Sequence, residues 1–308
     1  MSQPSPRTDD SPVVTVGLVS PRPLPDSLLA HARTAVGAVA GHVTTAQTSR
    51  ADWFGLALTG DLRPGTDPAS VLAELRGPAT ALGVDVAVTS GRLAQAGPAL
   101  VVTDVDSTLI TAEVIELLAR HAGTWEEVAA VTERAMRGEL DFAASLRERV
   151  ATLKGLPVGV LDQVRGAVEL TPGARELVAA VHADGGAVGV VSGGFAEIVE
   201  PLAAELGIEH VVANRLEMAE GRLTGRTYGP VIDRSAKRRH LQEWAAQDGV
   251  PIEQTVALGD GANDLDMLAA AGLGVAFCAK PVVVEQADAA ISFPRLDAVL
   301  GLLGLEGE

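Results

Sequence analysis

In the stretch VVTDVDSTLITAE, residues 101–113, an apolar run ends on two carboxylates, Asp104 and Asp106, spaced two apart. Side by side they repel, so a cation must justify them. A second acidic group, Asp260 and Asp264, follows the apolar run VALG within GDGANDLD. Oxygen ligands from both groups suit a hard divalent ion such as Mg²⁺. Ser192, Gly193 and Gly194 follow a third run, GAVGVV, where small residues let backbone N–H groups and a hydroxyl approach an anion. Lys237, in IDRSAKRRHLQEW, opens a predicted helix and offers fixed positive charge. Taken singly, each feature is ordinary: a helix cap, a tight turn, a solvated lysine. Together they fall at the same ends of successive apolar strands.

The elements that must position them follow from the pattern after residue 94. Near-continuous apolar strands (100–104, 186–193, 210–218, 254–260, 272–278, 289–293) alternate with helical stretches, which indicates a Rossmann-like parallel sheet covered on both faces. Ligands of such α/β sheets sit beyond the carboxyl ends of the strands. A helical insertion, about 111–165, follows the first acidic pair and reads as a cap. Residues 13–93 read strand, helix, strand, strand, helix, strand, the order of an α+β ferredoxin-like unit. Residues 1–12 are polar and proline-rich, without the apolar core of a signal peptide, and read as a flexible tail. The expected division is therefore 1–12, 13–93 and 94–308.

With 308 residues and 47% hydrophobic content the chain can bury a sizeable core. A net charge of -16 opposes nucleic acid and anionic membranes as partners and would repel a phosphorylated ligand unless the site supplies its own cations. No apolar run reaches the length of a membrane span. The single cysteine, Cys278, fits a reducing, cytoplasmic setting and reads as core packing.

DVDST (104–108), SGG (192–194), Lys237 and GDGAND (259–264) occur in the order and context of the haloacid dehalogenase superfamily, which residues 100–293 resemble. The resemblance implies that Asp104 is a nucleophile and Asp106 an acid/base. It also implies Mg²⁺ held by Asp104, the main-chain carbonyl of Asp106, Asp260 and Asp264, and a phosphate held by Ser192, Gly193, Gly194 and Lys237. Ser107, where many relatives place glycine, and the helical cap make the sequence similar to the phosphoserine phosphatases of that superfamily. By that similarity Glu113 and Arg149 would meet the ammonium and carboxylate of O-phosphoserine, Met136 and Phe142 would be apolar cap contacts, and Asn263 would reach substrate or nucleophile. The implied reaction is the last step of serine biosynthesis. The N-terminal order is similar to the ACT family of small regulatory modules, which implies a regulatory or dimerisation role and a homodimer through this unit. Other readings are a related phosphatase or phosphotransferase for another small phosphomonoester, a phospho-acceptor receiver, and an amino-acid-binding regulatory protein; the cap and GDGAND argue against the receiver, and the intact catalytic motifs against the binding protein.

Overall fold

A computed structural model describes residues 12–305. The expected tail, Pro12 apart, lies outside them. The N-terminal unit comprises β1 (Val13–Ser20), α1 (Asp26–Val39), β2 (Ala40–Ser49), β3 (Phe54–Leu62), α2 (Ala69–Ala81) and β4 (Asp85–Ser90). Its four strands form an antiparallel sheet in the order β2-β3-β1-β4, the arrangement expected of a ferredoxin-like unit. Alternation along β1 explains the layering. Val14, Val16 and Leu18 face a core shared with α1 and α2, while Val19 joins the core of the rest of the chain.

After α3 (Gly91–Ala96) comes the larger sheet, built from β5 (Leu100–Thr103), β6 (Ala187–Phe195), β7 (His210–Ala219), β8 (Arg222–Tyr228), β9 (Thr255–Gly259), β10 (Leu273–Phe277) and β11 (Ala289–Ile291). Its order is β11-β10-β9-β5-β6-β7-β8. All pairs are parallel except β7–β8 at one edge. Strand order reverses at β5, which has β6 on one side and β9 on the other. That makes the carboxyl end of β5 the topological switch point, where ligands bind in such sheets.

The cap is four helices: α4 (Val114–Ala122), α5 (Trp125–Met136), α6 (Phe142–Ala151) and α7 (Val160–Ala167). Its entering and leaving segments pair as a short antiparallel bridge, Ile110 with Leu170, flanked by Thr111 N–H to Glu169 O (3.0 Å) and Thr171 N–H to Leu109 O (2.9 Å). The β7–β8 hairpin grips the α6–α7 linker as well, through Gly155 N–H to Leu223 O (2.8 Å) and Val158 N–H to Gly221 O (3.0 Å). The parallel-sheet pattern did not contain β8; this strand turns back at Glu220-Gly221 to hold the cap.

The remaining helices are α8 (Ala174–Ala183), α9 (Ala196–Leu206), α10 (Arg234–Gln247), α11 (Leu265–Leu268), α12 (Pro281–Val284) and α13 (Ala298–Leu303). Every residue of α13 is buried, and the helix packs on β1, β3 and β4 of the N-terminal sheet. Gly17 permits this: a Cβ there would lie 2.1 Å from the carbonyl oxygen of Leu302. The outer face of the small sheet is therefore covered by the chain's own last helix. Cys278, expected in the core, is exposed just beyond β10, with its backbone in the left-handed region (φ 45°). Among the described residues no helix is long and apolar enough to cross a membrane.

Candidate functional site

Asp104 emerges from the fully buried β5, and its N–H still donates to Leu258 O (2.9 Å), extending the ladder to β9 by one residue. One of its carboxylate oxygens accepts from Val105 N–H (2.7 Å) and the Lys237 ammonium (2.8 Å). A wide turn, closed by Ile110 N–H to Val105 O (3.0 Å), then presents Asp106 and Ser107. The Asp106 Oδ1 accepts from Val114 N–H (2.9 Å), satisfying an otherwise orphaned donor of the first turn of α4. Its other oxygen crosses Gly194, where a Cβ would lie 2.6 Å away. Ser107 adopts φ 58°, a conformation glycine takes more cheaply. Its hydroxyl, which glycine lacks, donates to Glu113 Oε1 (3.0 Å).

Ser192 and Asp264 are fully buried, as is Lys237. The Ser192 hydroxyl accepts from Gly194 N–H (2.8 Å), shaping the loop after β6. The Asp233 side chain caps α10 by accepting from Ala236 N–H (2.8 Å), which fixes the helix turn bearing Lys237. The Lys237 Nζ lies 2.8 Å from Asp104 and 2.6 Å from Asp264. Asp264 also accepts from Gly261 N–H (3.0 Å). The glycines of GDGAND make room for these contacts: a Cβ on Gly259 would lie 2.4 Å from Asp264, and one on Gly261 2.1 Å from the Asn263 oxygen.

Asp104, Asp260 and Asp264 each offer an oxygen within 4.8 Å of the others. Burial, then repulsion from Asp264, raises the pKa of Asp104 well above the usual carboxylate range. Burial, then Asp264 and Glu113, raises Asp260 to about 6. Burial, then Glu113, raises Asp106 to about 7, against the opposing pull of Val114 N–H and Lys237. For Lys237, burial opposes the charge, but Asp104 and Asp264 outweigh it and raise its pKa. One lysine thus faces more buried negative charge than it neutralises, and a hard divalent cation with oxygen ligands fits that excess. Asp106 stands beside this three-carboxylate set, with one oxygen on Val114 N–H and the other against Gly194.

Above the cluster, α6 carries Phe142 and Arg149. The Phe142 ring covers Gly193, where a Cβ would meet its Cζ at 2.9 Å. Arg149 is partly buried, and its nearest hydrogen bond is a long one from Nε to Ser145 O (3.4 Å). Burial lowers its pKa, and the negative charges of Glu113, Asp106 and Glu116 partly restore it. Among the described residues no carboxylate comes within ion-pair distance of Arg149. Met136 is 66% exposed at the end of α5, its sulfur 3.5 Å from the Lys280 Nζ, so it lies at the rim rather than over the acidic cluster.

Sequence reasoning did not single out Asn214. Buried on β7, it donates to Gly193 O (2.8 Å) and accepts from Ile232 N–H (2.9 Å), tying the SGG loop to the segment that leads into α10. Its signal was an amide within an apolar strand, which requires partners when buried.

The switch-point site and capped parallel sheet define a capped α/β enzyme with a candidate cation-binding acidic cluster. The chain belongs to the haloacid dehalogenase-like hydrolases, whose family model matches residues 101–269. It is 58% identical over 230 residues to a phosphoserine phosphatase of Streptomyces coelicolor, covering 75% of this chain and 56% of that one. It is 52% identical over 209 residues to a phosphoserine phosphatase of Streptococcus thermophilus, covering 68% of this chain and 97% of that one. The crystal structure of a probable phosphoserine phosphatase from Vibrio cholerae superposes with a TM-score of 0.73 at 37% identity, covering 94% of this chain and 86% of that one. The chain spans about half the length of the first curated relatives it matches, 56% in Streptomyces coelicolor and 54% in Mycobacterium tuberculosis.

Proposed function

We propose that the chain is a Mg²⁺-dependent phosphatase that hydrolyses O-phosphoserine to serine and phosphate. The observation that carries the substrate is the partly buried Arg149 guanidinium, which among the described residues has no carboxylate within ion-pair distance yet feels the negative charges of Glu113 and Asp106. An α-carboxylate would complete Arg149 by two parallel hydrogen bonds, and Glu113, held by Ser107, would accept the α-ammonium. The names of the relatives above support the same substrate.

In this reading an Asp104 oxygen attacks phosphorus while the bond from phosphorus to the serine oxygen breaks, and the protonated Asp106 carboxyl gives its proton to the departing alkoxide. Asp106, now a carboxylate, takes a proton from water as that water's oxygen attacks phosphorus, releasing Asp104 and inorganic phosphate. Lys237 and the N–H groups around Ser192, Gly193 and Gly194 hold the phosphoryl oxygens, where charge concentrates in the transition state. Phe142 excludes water over Gly193, and Asn263 would reach substrate or nucleophile from the GDGAND loop. Asp104, Asp260 and Asp264, with the Asp106 carbonyl, would hold the Mg²⁺, which neutralises phosphate charge when bound.

The test is phosphate release across a panel of small phosphomonoesters with and without Mg²⁺. O-Phospho-L-serine should be turned over best and only with metal. Comparable turnover of simple sugar phosphates would overturn the substrate assignment.

A further inference from the structure

Asn214 stands where β7 runs past the loop that follows β6. The two strands pair in register as far as Ser192 with Ala213, then slip, so that Phe195 pairs with Asn214 while Gly193 and Gly194 bulge out of the ladder. The Asn214 side chain spans the gap this leaves. Its Nδ2 donates to Gly193 O (2.8 Å) and its Oδ1 accepts from Ile232 N–H (2.9 Å). A carbonyl can only accept and an N–H only donate, so both ends of the amide are fixed by their partners. Asn214 is 1% exposed, and a buried amide is tolerated only while both bonds hold.

The bond to Gly193 matters because of what the same peptide carries on its other side. In a trans peptide the C=O and the following N–H point in opposite directions. With Gly193 O drawn to β7, Gly194 N–H is left to the Ser192 hydroxyl (2.8 Å). Glycine on both sides gives this peptide little steric preference of its own, since each can take either sign of φ. Rotated by half a turn, it would replace the N–H donor beside Ser192 with a carbonyl oxygen, which repels an anion. The second bond of Asn214 reaches the other phosphate element. Ile232 precedes Asp233, whose side chain caps α10 and whose carbonyl accepts from Lys237 N–H (3.0 Å). One buried amide is thus bonded both to the loop that offers N–H donors and to the lead of the helix that offers the cation. Resting on the phosphatase reading, we propose that Asn214 is a positioning residue for the phosphoryl group: it touches no reacting atom, but holds the Gly193–Gly194 peptide with its N–H on the Ser192 side and fixes the entry of α10 relative to that loop.

The test is phosphate affinity, read without turnover by phosphorus NMR titration of inorganic phosphate into the Mg²⁺-loaded full chain. Asn214→Leu, close in shape but able to make neither bond, should bind phosphate about tenfold more weakly and lower kcat/KM on the order of a hundredfold, the scale of a lost oxyanion donor. The loss in kcat/KM should be equal for phosphoserine and phosphoethanolamine, which share the phosphoryl end. Asn214→Asp supplies a readout that a purely structural role would not move. Its carboxylate cannot donate to Gly193 O, its protonated form can, and burial raises its pKa. Phosphate affinity relative to the wild-type chain should therefore recover in Asn214→Asp as pH falls from about 8 to about 5.5, and stay flat in Asn214→Leu. If Asn214→Leu fails to fold, the Asn214→Asp ratio decides. Wild-type affinity in a folded Asn214→Leu, an Asn214→Asp ratio that ignores pH, or losses that differ between the two substrates would overturn the assignment. A wild-type chain that binds no phosphate would instead overturn the phosphatase reading on which it rests.

Discussion

Deleting residues 1–93 is the sharpest perturbation of this architecture, because α13 lies at the far end of the chain yet packs on β1, β3 and β4. In the full chain Val299, Leu300, Leu302 and Leu303 are no more than 3% exposed. Burying one such side chain is worth about 1.5–3 kcal/mol, so four give at most about 12 kcal/mol, and about 3–6 kcal/mol if half of each surface still meets the catalytic core. A loss of that size is comparable with the whole stability of a domain, roughly 5–15 kcal/mol. A fragment covering 94–308 should therefore aggregate, or unfold about 2 M earlier in urea at a typical slope of about 2 kcal/mol per M. A fragment covering 94–296, which lacks the stranded helix, should be more soluble and should keep metal-dependent phosphatase activity. Gly17→Ala in the full chain should give a milder form of the same defect, since the added methyl overlaps the Leu302 backbone and overpacking costs about 1–3 kcal/mol. Size-exclusion chromatography and urea titration with phosphate release measure all three. A 94–308 fragment that is monomeric and as resistant to urea as the full chain would refute the reasoning and make the N-terminal unit a detachable module.

Asp104→Asn should leave the fold intact and remove nearly all phosphate release, because the amide is a poor nucleophile; the covalent adduct should vanish by mass spectrometry of acid-quenched turnover. Arg149→Ala should lower kcat/KM for phosphoserine far more than for phosphoethanolamine, by the roughly 2–5 kcal/mol of a desolvated charge pair; equal losses would show that Arg149 only supports the cap. In the metal-free chain Asp106 titrates near 7 and Asp260 near 6, against 3.8 for a free aspartate, so between those values the folded state holds more protons than the unfolded one. The stability these groups contribute should therefore be full below about pH 3.8 and be lost as pH rises through about 7, by something on the order of 2 kcal/mol after allowance for solvent at these partly exposed groups, and saturating Mg²⁺ should flatten the slope. Urea midpoints at pH 5 and pH 8, with chelator and with Mg²⁺, measure this; metal-free stability that rises over the window would contradict the charge excess assigned to the cluster.

The parts legible in the sequence share a physical cause. Asp104, Ser192 and Asp260 end or follow apolar runs, and a parallel sheet forces the ends of its strands to one edge, so their convergence follows from periodicity alone. Lys237 was legible as a cation at a helix start, but its contact with both Asp104 and Asp264 depends on the tilt of α10, which no local pattern encodes. Arg149 stood out only through family resemblance, since a guanidinium within RER reads as surface until α6 is folded over the cleft. β8 and α13 were missed for a common reason. Each is short, and each is stabilised by a surface far away in sequence: β8 by the cap linker, α13 by a sheet more than two hundred residues earlier.

The placement of α13 changes what the N-terminal unit can be. A ferredoxin-like unit can pair through its sheet or through its helices, and pairing through one of these is the expectation for residues 13–93. Here the outer face of the sheet is occupied from within the chain, and the contacts that occupy it run through Asp297 to the segment on which the cap turns. Side chains at a packed junction have few alternative arrangements, so a change on the Trp53 side has to be absorbed either by the small sheet, held rigid by antiparallel pairing along β1, or by the Pro172-Gly173 turn. Substitution of Trp53, whose indole donates to Asp297, should therefore change substrate KM more than the yield of the covalent Asp104 adduct in acid-quenched turnover; a lost adduct with unchanged KM would contradict this.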